Sequence, residues 1–229
     1  MDSLPTCLIP ARGGSKRIKA KNVRLFLGEP MIGRTIKTIQ KSNIFGRIIV
    51  STEDHEIAEI SRNYGADVPF ERPANLADDF ATTKDVVKHT LEYLKSYNSC
   101  PNVLCIIYPI AALITPEILR AAFYYFQKNK FNFLKSAVPF GHPIERAFSI
   151  SECSNVKYLM PDTLNQRTQD LTPLFHDAGQ FYFIKTAKFE ECFSNAENKT
   201  GAYVLKRWEA VDIDNEDDWL LAEKLATLS

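Results

Sequence analysis

The sequence predicts an α/β protein with a mainly parallel sheet covered by helices on both faces, and three observations carry that prediction. Apolar runs of strand length alternate with amphipathic stretches of helical period, the rhythm of βαβ units. Helix starts carry capping signals where the alternation requires them. A basic loop bent by glycines follows the first strand, where open α/β sheets place their ligands.

The elements follow in order. "TCLIPA" reads as a strand buried on both faces, Met31 to Lys41 as a helix, "RIIVST" as a second strand and Glu56 to Tyr64 as a second helix. The alternation continues with Thr83 to Tyr97, "NVLCIIY" and Pro116 to Lys128. Thr115 before Pro116 and Glu117 puts a capping hydroxyl ahead of a proline at the first helical position, with an acid in the first turn. From Phe140 to Asp177 the rhythm breaks at Gly141, Pro143, Pro161 and Pro173. Residues 141–177 therefore read as an inserted arm of one domain spanning 1–229, not as a second core. "GQFYFIK" reads as the returning strand. "EAVDIDNEDDWLLAEKLATL" reads as a short strand turning into a terminal helix with Leu220, Leu221, Leu225 and Leu228 on one side.

Composition bounds the function. Lys plus Arg and Asp plus Glu are both 28, so the formal charge is zero, which gives no support to sequence-independent binding along a nucleic acid. Five cysteines without a CxxC pair argue against a disulfide framework and a structural zinc site. The N-terminus has no basic segment followed by an apolar one, and no run approaches a membrane span. The expected compartment is the cytoplasm, with no membrane partner.

Three stretches carry candidate chemistry. In "ARGGSKRIKAKN", Gly13 and Gly14 let the backbone approach an anion while Arg12, Lys16, Arg17, Lys19 and Lys21 supply charge. A polyphosphate is the expected guest, although neither GxxxxGK[ST] nor GxGxxG is present. In "VDIDNEDD", strand alternation puts Asp212 and Asp214 on one face, and two convergent carboxylates suit Mg²⁺. Glu216, Asp217 and Asp218 suit the first turn of a helix capped by Asp214 or Asn215. In "NQRTQDLTPLFHDAGQFYF", Arg167, Gln169, Asp170, His176, Asp177 and Gln180 crowd polar groups around a glycine. Arg167 suits a carboxylate. His176, without HxxxH or HxH spacing, suits a substrate hydrogen bond better than a metal.

Together, "IPARGGSKRIKAKN", "ERPANLADD", "NQRTQDL", "HDAGQFYF" and "VDIDNEDDW" resemble the CMP-sialic acid synthetase superfamily, and within it the pseudaminic acid cytidylyltransferases. The likeness runs from about residue 7 to residue 222. It implies a Rossmann-like mixed sheet of the nucleotide-diphospho-sugar transferase type, with the arm exchanged in a homodimer. It implies CTP bound by Arg12, Ser15, Lys16, Lys21, Asn22 and Arg72, and Mg²⁺ on Asp212 and Asp214. It further implies sugar contacts from Tyr108, Arg167, Gln169, His176, Asp177 and Gln180, and CMP transfer to the anomeric hydroxyl of a nonulosonic acid, with Arg12, Lys21, Asp212 and Asp214 as the catalytic set. Other sugar acids (N-acetylneuraminic, legionaminic, 3-deoxy-manno-octulosonic) and a non-catalytic nucleotide- or sugar-binding regulator are the alternatives. This chain departs from the pseudaminic pattern at Ile110 and Ala112 of "YPIAALI", at Lys19 and at Asn75.

Overall fold

A computed structural model describes residues 4–15, 17–78, 80–194 and 198–228. The first half runs β1 (Thr6–Pro10), β2 (Leu25–Phe26), β3 (Glu29–Pro30), α1 (Met31–Ser42), β4 (Arg47–Ser51), α2 (His55–Asn63), α3 (Thr83–Ser96) and β5 (Val103–Ile107). The second runs α4 (Pro116–Lys128), β6 (Phe133–Pro139), β7 (Phe148–Ile150), β8 (Val156–Tyr158), β9 (Phe175–Lys185), α5 (Phe189–Ser194), β10 (Thr200–Val204) and α6 (Glu216–Ala226).

Six strands form the main sheet in the order β10-β6-β9-β5-β1-β4. β1 pairs in parallel with β4 and β5, and β6 with β10, while β9 runs antiparallel between β5 and β6. The expected mixed, mainly parallel α/β sheet is the one observed.

Strand alternation builds a core on each face. Cys7, Ile9, Val50, Cys105, Ile107, Phe181 and Phe183 point to one side, where they meet Ile32, Ile36 and Ile39 of α1, Ile57 of α2 and Leu119, Ala122 and Phe126 of α4. Leu8, Ile49, Leu104, Ile106 and Ile184 point to the other, against Val87, Leu91 and Leu94 of α3 and Phe189 and Cys192 of α5. Each such side chain fully withdrawn from water contributes roughly 1.5–3 kcal/mol before entropy is counted. The helix starts carry the caps that their sequences announce: Thr115 Oγ1 accepts from Ile118 N at 3.3 Å ahead of α4, and Thr82 with Asp85 forms a capping box ahead of α3.

The structure corrects four expectations. β6 and β10 are extra strands, hidden in sequence because Lys135 and Ser136 break the apolar run of one and glycine and alanine dilute the other. β9 begins at Phe175, so residues 175–177 belong to the sheet and not to the arm. Residues 211–215 form no strand. α6 buries Trp219 and Ala222 while Leu220 and Leu221 are exposed, because Trp219 fills a third cluster with Ile18, Phe26, Met31, Ile110, Ala112 and Ile213. A leucine count misplaced that face; the indole is the largest single apolar side chain the helix has to bury. Among the described residues no helix is long and apolar enough to cross a membrane.

Candidate active site

β1, β4 and β5 are parallel and end at Pro10, Ser51 and Ile107, so the loops that follow them meet at one edge of the sheet. The glycine loop leaves β1 there and is tied down at several points. Ala11 N donates to Ser51 O at 3.0 Å, Gly13 N to Glu53 Oε1 at 2.7 Å, Asn22 Nδ2 to Arg12 O at 2.8 Å, and an Arg12 guanidinium nitrogen to Asp78 O at 3.0 Å. A side chain on Gly13 would collide with Asp54, whose Oδ1 caps α2 by accepting from Ile57 N at 3.0 Å. Gly13 is therefore required by close approach to the α2 cap. Its N–H faces a carboxylate, which corrects the expectation that it is offered to an anion.

The loop walls a cavity of about 270 Å³. Arg12, Ser15, Arg17, Lys21 and Asn22 line it from the loop, Arg72 from the chain beyond β4, Thr82 and Thr83 from the start of α3, and Tyr108, Pro109 and Ile110 from the chain beyond β5. Every expected nucleotide contact among the described residues is thus brought to one place, and Lys16 lies outside the described residues. Arg72 is 4% exposed; its Nε donates to Ser51 Oγ at 3.1 Å and a terminal nitrogen donates to Ser51 O. Burial pulls its guanidinium below the usual range, and Glu53 partly offsets this.

Asp212 and Asp214 flank Ile213, which is fully buried in the Trp219 cluster. The burial of Ile213 between two acids is kept here without a strand partner, by packing and by side-chain hydrogen bonds to the segment. Lys21 Nζ donates to Ile213 O at 2.6 Å and lies 3.8 Å from Asp214 Oδ1, to which Arg17 pairs at 2.9 Å. Burial pulls the Lys21 ammonium below its ordinary range against the pull of Asp214 and Asp212. Burial also pushes the Asp212 carboxyl up, and Asp214 adds to that by like charge. Asn215 caps α6 in a box with Asp218, as its polar first turn implied.

"HDAGQFY" folds as a bulge in β9. Lys135 faces Tyr182 while Ala137 faces Asp177, so four residues of β9 stand opposite Ser136. Ser136 Oγ accepts from Gln180 N at 3.3 Å and Phe181 N at 3.2 Å, which satisfies amides that the ladder leaves unpaired. Gly179 sits at φ +61°, where a side chain is costly, and its N–H donates to Asp177 Oδ1 at 2.9 Å. The same oxygen accepts from Tyr182 Oη at 2.8 Å. Burial, with Tyr108 and Asp177 nearby, pushes the Tyr182 phenol far above its ordinary range, so it remains a neutral donor.

A second cavity, about 300 Å³, opens beside this bulge. Ile106, Phe133, Cys192 and Phe193 give it an apolar wall, and Lys135, Asp177, Tyr182 and Thr200 its polar groups. It shares Thr83 and Tyr108 with the first cavity, and their hydroxyls are 2.7 Å apart. A basic polar chamber and a half-apolar one thus meet across a single hydroxyl pair.

At this point comparison with known proteins decides the family. The family model described as cytidylyltransferase matches residues 6–215. The chain belongs to the cytidylyltransferase family. This cytidylyltransferase is 40% identical over 220 residues to the pseudaminic acid cytidylyltransferase of Campylobacter jejuni, covering 96% of this chain and 94% of the relative. It is 30% identical over 232 residues to the CMP-N,N'-diacetyllegionaminic acid synthase of Legionella pneumophila, covering 97% and 96%. In fold it is similar to a solved CMP:2-keto-3-deoxy-manno-octonic acid synthetase complexed with CTP, with a TM-score of 0.71 at 12% identity over 98% of this chain and 99% of that one. It is a CTP-dependent nucleotidyltransferase.

The remaining predicted residues of the cytidylyltransferase are spread more widely. Gln180 is fully buried: its Nε2 donates to Ala178 O at 2.9 Å and Val211 O at 3.3 Å, tying the bulge to the segment that carries Asp212. His176 is exposed, its ring 4.9 Å from that of Phe140, and lines neither cavity. Arg167 and Gln169 are exposed at a short turn over Thr168–Asp170 and line neither cavity. Ile110 and Ala112, where the family pattern is broken, are 8% and 5% exposed and pack in the Trp219 cluster, and Ile110 also lines the first cavity. Sequence reasoning missed Thr83, Lys135, Tyr182, Phe193 and Glu53. Lys135 was findable only with β6 recognised, and Thr83 only by bringing the start of α3 to the cavity that the glycine loop walls.

Proposed function

We propose that this cytidylyltransferase transfers CMP from CTP to the anomeric hydroxyl of a nonulosonic acid, pseudaminic acid, and releases pyrophosphate. The observation that carries the reading is the pair of cavities joined at Thr83 and Tyr108. The first has the cations a triphosphate needs, and the second has apolar wall for acyl and methyl groups with Lys135 as a cation for the sugar carboxylate.

In the transfer, the anomeric oxygen bonds to the α-phosphorus and the bond to the bridging oxygen breaks, pyrophosphate leaving with the electron pair. Arg12 and Lys21, with Ser15 and Asn22, hold the pyrophosphate side, and Arg72 holds the cytidine end. Catalysis then consists mostly of in-line positioning and charge stabilisation. The hydroxyl proton goes through a water to the Asp212 and Asp214 pair.

Two adjacent carboxylates beside a basic phosphate loop fit magnesium, whose remaining ligands are waters and phosphate oxygens. The upward push on the Asp212 carboxyl supports this, since a cation relieves it. Among the described residues no group of three or more His, Cys, Asp and Glu side chains is placed to hold a metal, so Asp212 and Asp214 would hold it together with substrate. When bound, the ion supplies charge neutralisation and Lewis acidity at the phosphate.

The test is pyrophosphate release with CTP and Mg²⁺ from pseudaminic, legionaminic and N-acetylneuraminic acids side by side. Selective release with pseudaminic acid is expected. Release with another acid moves the specificity, and silence with all three removes the catalytic reading.

The arm, residues 141–177 in the sequence reading, is assigned to a homodimer contact. Ile150, Val156 and Leu159 are 66%, 51% and 67% exposed, an apolar patch that a second copy would cover, bringing Arg167 and Gln169 to the partner's sugar cavity. Sedimentation should give a dimer for the parent and a monomer of low activity for Ile150→Asp with Leu159→Asp. A monomeric parent of full activity would refute the assignment.

A further inference from the structure

Glu53 lines neither cavity, yet it touches both ends of the first. It lies two residues beyond the end of β4. Its Oε1 accepts from Gly13 N at 2.7 Å, in the loop that carries Arg12, Ser15 and Lys21. Its Oε2 is 4.0 Å from a terminal nitrogen of Arg72, and that oxygen is shielded from solvent with no hydrogen-bond partner. A buried carboxylate oxygen without a donor is costly, and the charge facing it is the guanidinium of Arg72.

Arg72 in turn reaches only its near side by hydrogen bonds. Its backbone N–H donates to Thr52 O at 2.9 Å and its side chain to Ser51. Those contacts hold the guanidinium against the end of β4, where Ser51 O also accepts from Ala11 N at the root of the loop, and they reach no further along it. Glu53 makes the second connection, at Gly13: one oxygen holds the loop backbone there and the other faces the arginine.

We propose that Glu53 is a positioning residue for CTP, which sets the distance between the phosphate-holding loop and Arg72 so that the two ends of one nucleotide are held together. The inference rests on the preceding assignment of the loop to the phosphates and of Arg72 to the cytidine end. Its two jobs are separable by chemistry. Glu53→Gln keeps an acceptor oxygen for Gly13 N–H and removes the charge opposite Arg72. Glu53→Ala removes both.

The experiment measures steady-state kinetics with CTP and sugar acid varied separately, and calorimetric binding of CTP, inorganic pyrophosphate and CMP, for the parent and both variants. Glu53→Ala should raise the KM for CTP by about tenfold or more, the loss of a buried hydrogen bond to a charged group, with the KM for the sugar acid within about twofold of the parent. It should weaken pyrophosphate and CMP together. Glu53→Gln should weaken CMP while pyrophosphate binds as in the parent. A purely structural role would instead lower the melting temperature and reduce all ligands in proportion to the folded fraction, and that pattern overturns the proposal. So does parent-like CTP affinity in Glu53→Ala. If Glu53→Ala does not fold, the split between pyrophosphate and CMP in Glu53→Gln decides. A parent that fails to bind CTP overturns the nucleotide assignment itself, a result distinct from a parent that binds CTP and variants that match it.

Discussion

Asp214→Ala is expected to lower kcat by about a hundred- to a thousandfold, the usual loss when a group that stabilises transition-state charge is removed, while CTP affinity without added metal changes far less. The reasoning is geometric. Asp214 pairs with Arg17 at 2.9 Å and lies 3.8 Å from Lys21, beside buried Ile213, so truncation removes a carboxylate proposed to hold magnesium while Arg17 and Lys21 stay in the wall proposed to bind nucleotide. Saturation kinetics beside calorimetry of CTP separates the two quantities, and equal turnover in variant and parent would sink the metal assignment. Asp212→Asn should show a similar kinetic loss with a small gain in stability. Burial first, then Asp214, raises the Asp212 carboxyl above the ordinary carboxylate range. A raised folded-state pKa means that this group's favourable contribution is fully present below the unfolded value and is lost as pH rises through the folded one. At neutral pH the charged form is therefore a cost that asparagine removes, and the melting temperature of Asp212→Asn should lie slightly above that of the parent at pH 7 and converge with it in acid.

Trp219→Ala is expected to destabilise the fold by about 3–5 kcal/mol and to depress turnover of the molecules that remain folded. Trp219 is 1% exposed, meets the Phe26 ring edge-on at 5.5 Å and carries the Arg24 guanidinium at 4.4 Å. Its cluster holds Ile18 of the glycine loop and Ile213 between the two acids. One cavity in that cluster loosens both walls of the nucleotide site, so a core substitution far from any reacting atom acquires a kinetic effect. Urea denaturation gives the first quantity, and kcat normalised to folded protein gives the second. Parent-like kcat in the folded fraction would show that the cluster supports stability alone.

Local chemistry made much of this molecule legible in its sequence. β1, β4 and β5 are short apolar runs whose residues are buried on both faces, and α3 and α4 open on threonine caps that name their own starts. The glycine loop was readable because a basic turn after the first strand has few places to go in an open α/β sheet. Asp212 and Asp214 were readable because period-two alternation survives wherever the residue between them is buried, with or without a strand partner.

What the sequence left open depends on which segments meet. β6 became a strand because β9 and β10 flank it, and its own residues carry too little alternation to announce that. Gln180, Asp177 and Gly179 looked like one polar patch for a sugar, and the bulge in β9 divided their work: Gln180 turned inward to Val211, and Asp177 took the Gly179 amide and the Tyr182 hydroxyl. Glu53 and Arg72 are nineteen positions apart by number, and only the return of the chain onto the end of β4 put a carboxylate between the loop and the arginine. Propensity and periodicity act over a few neighbouring residues, so they determined the elements and the loop chemistry; the partners of buried polar groups are set by long-range packing, and only the tertiary structure decided those.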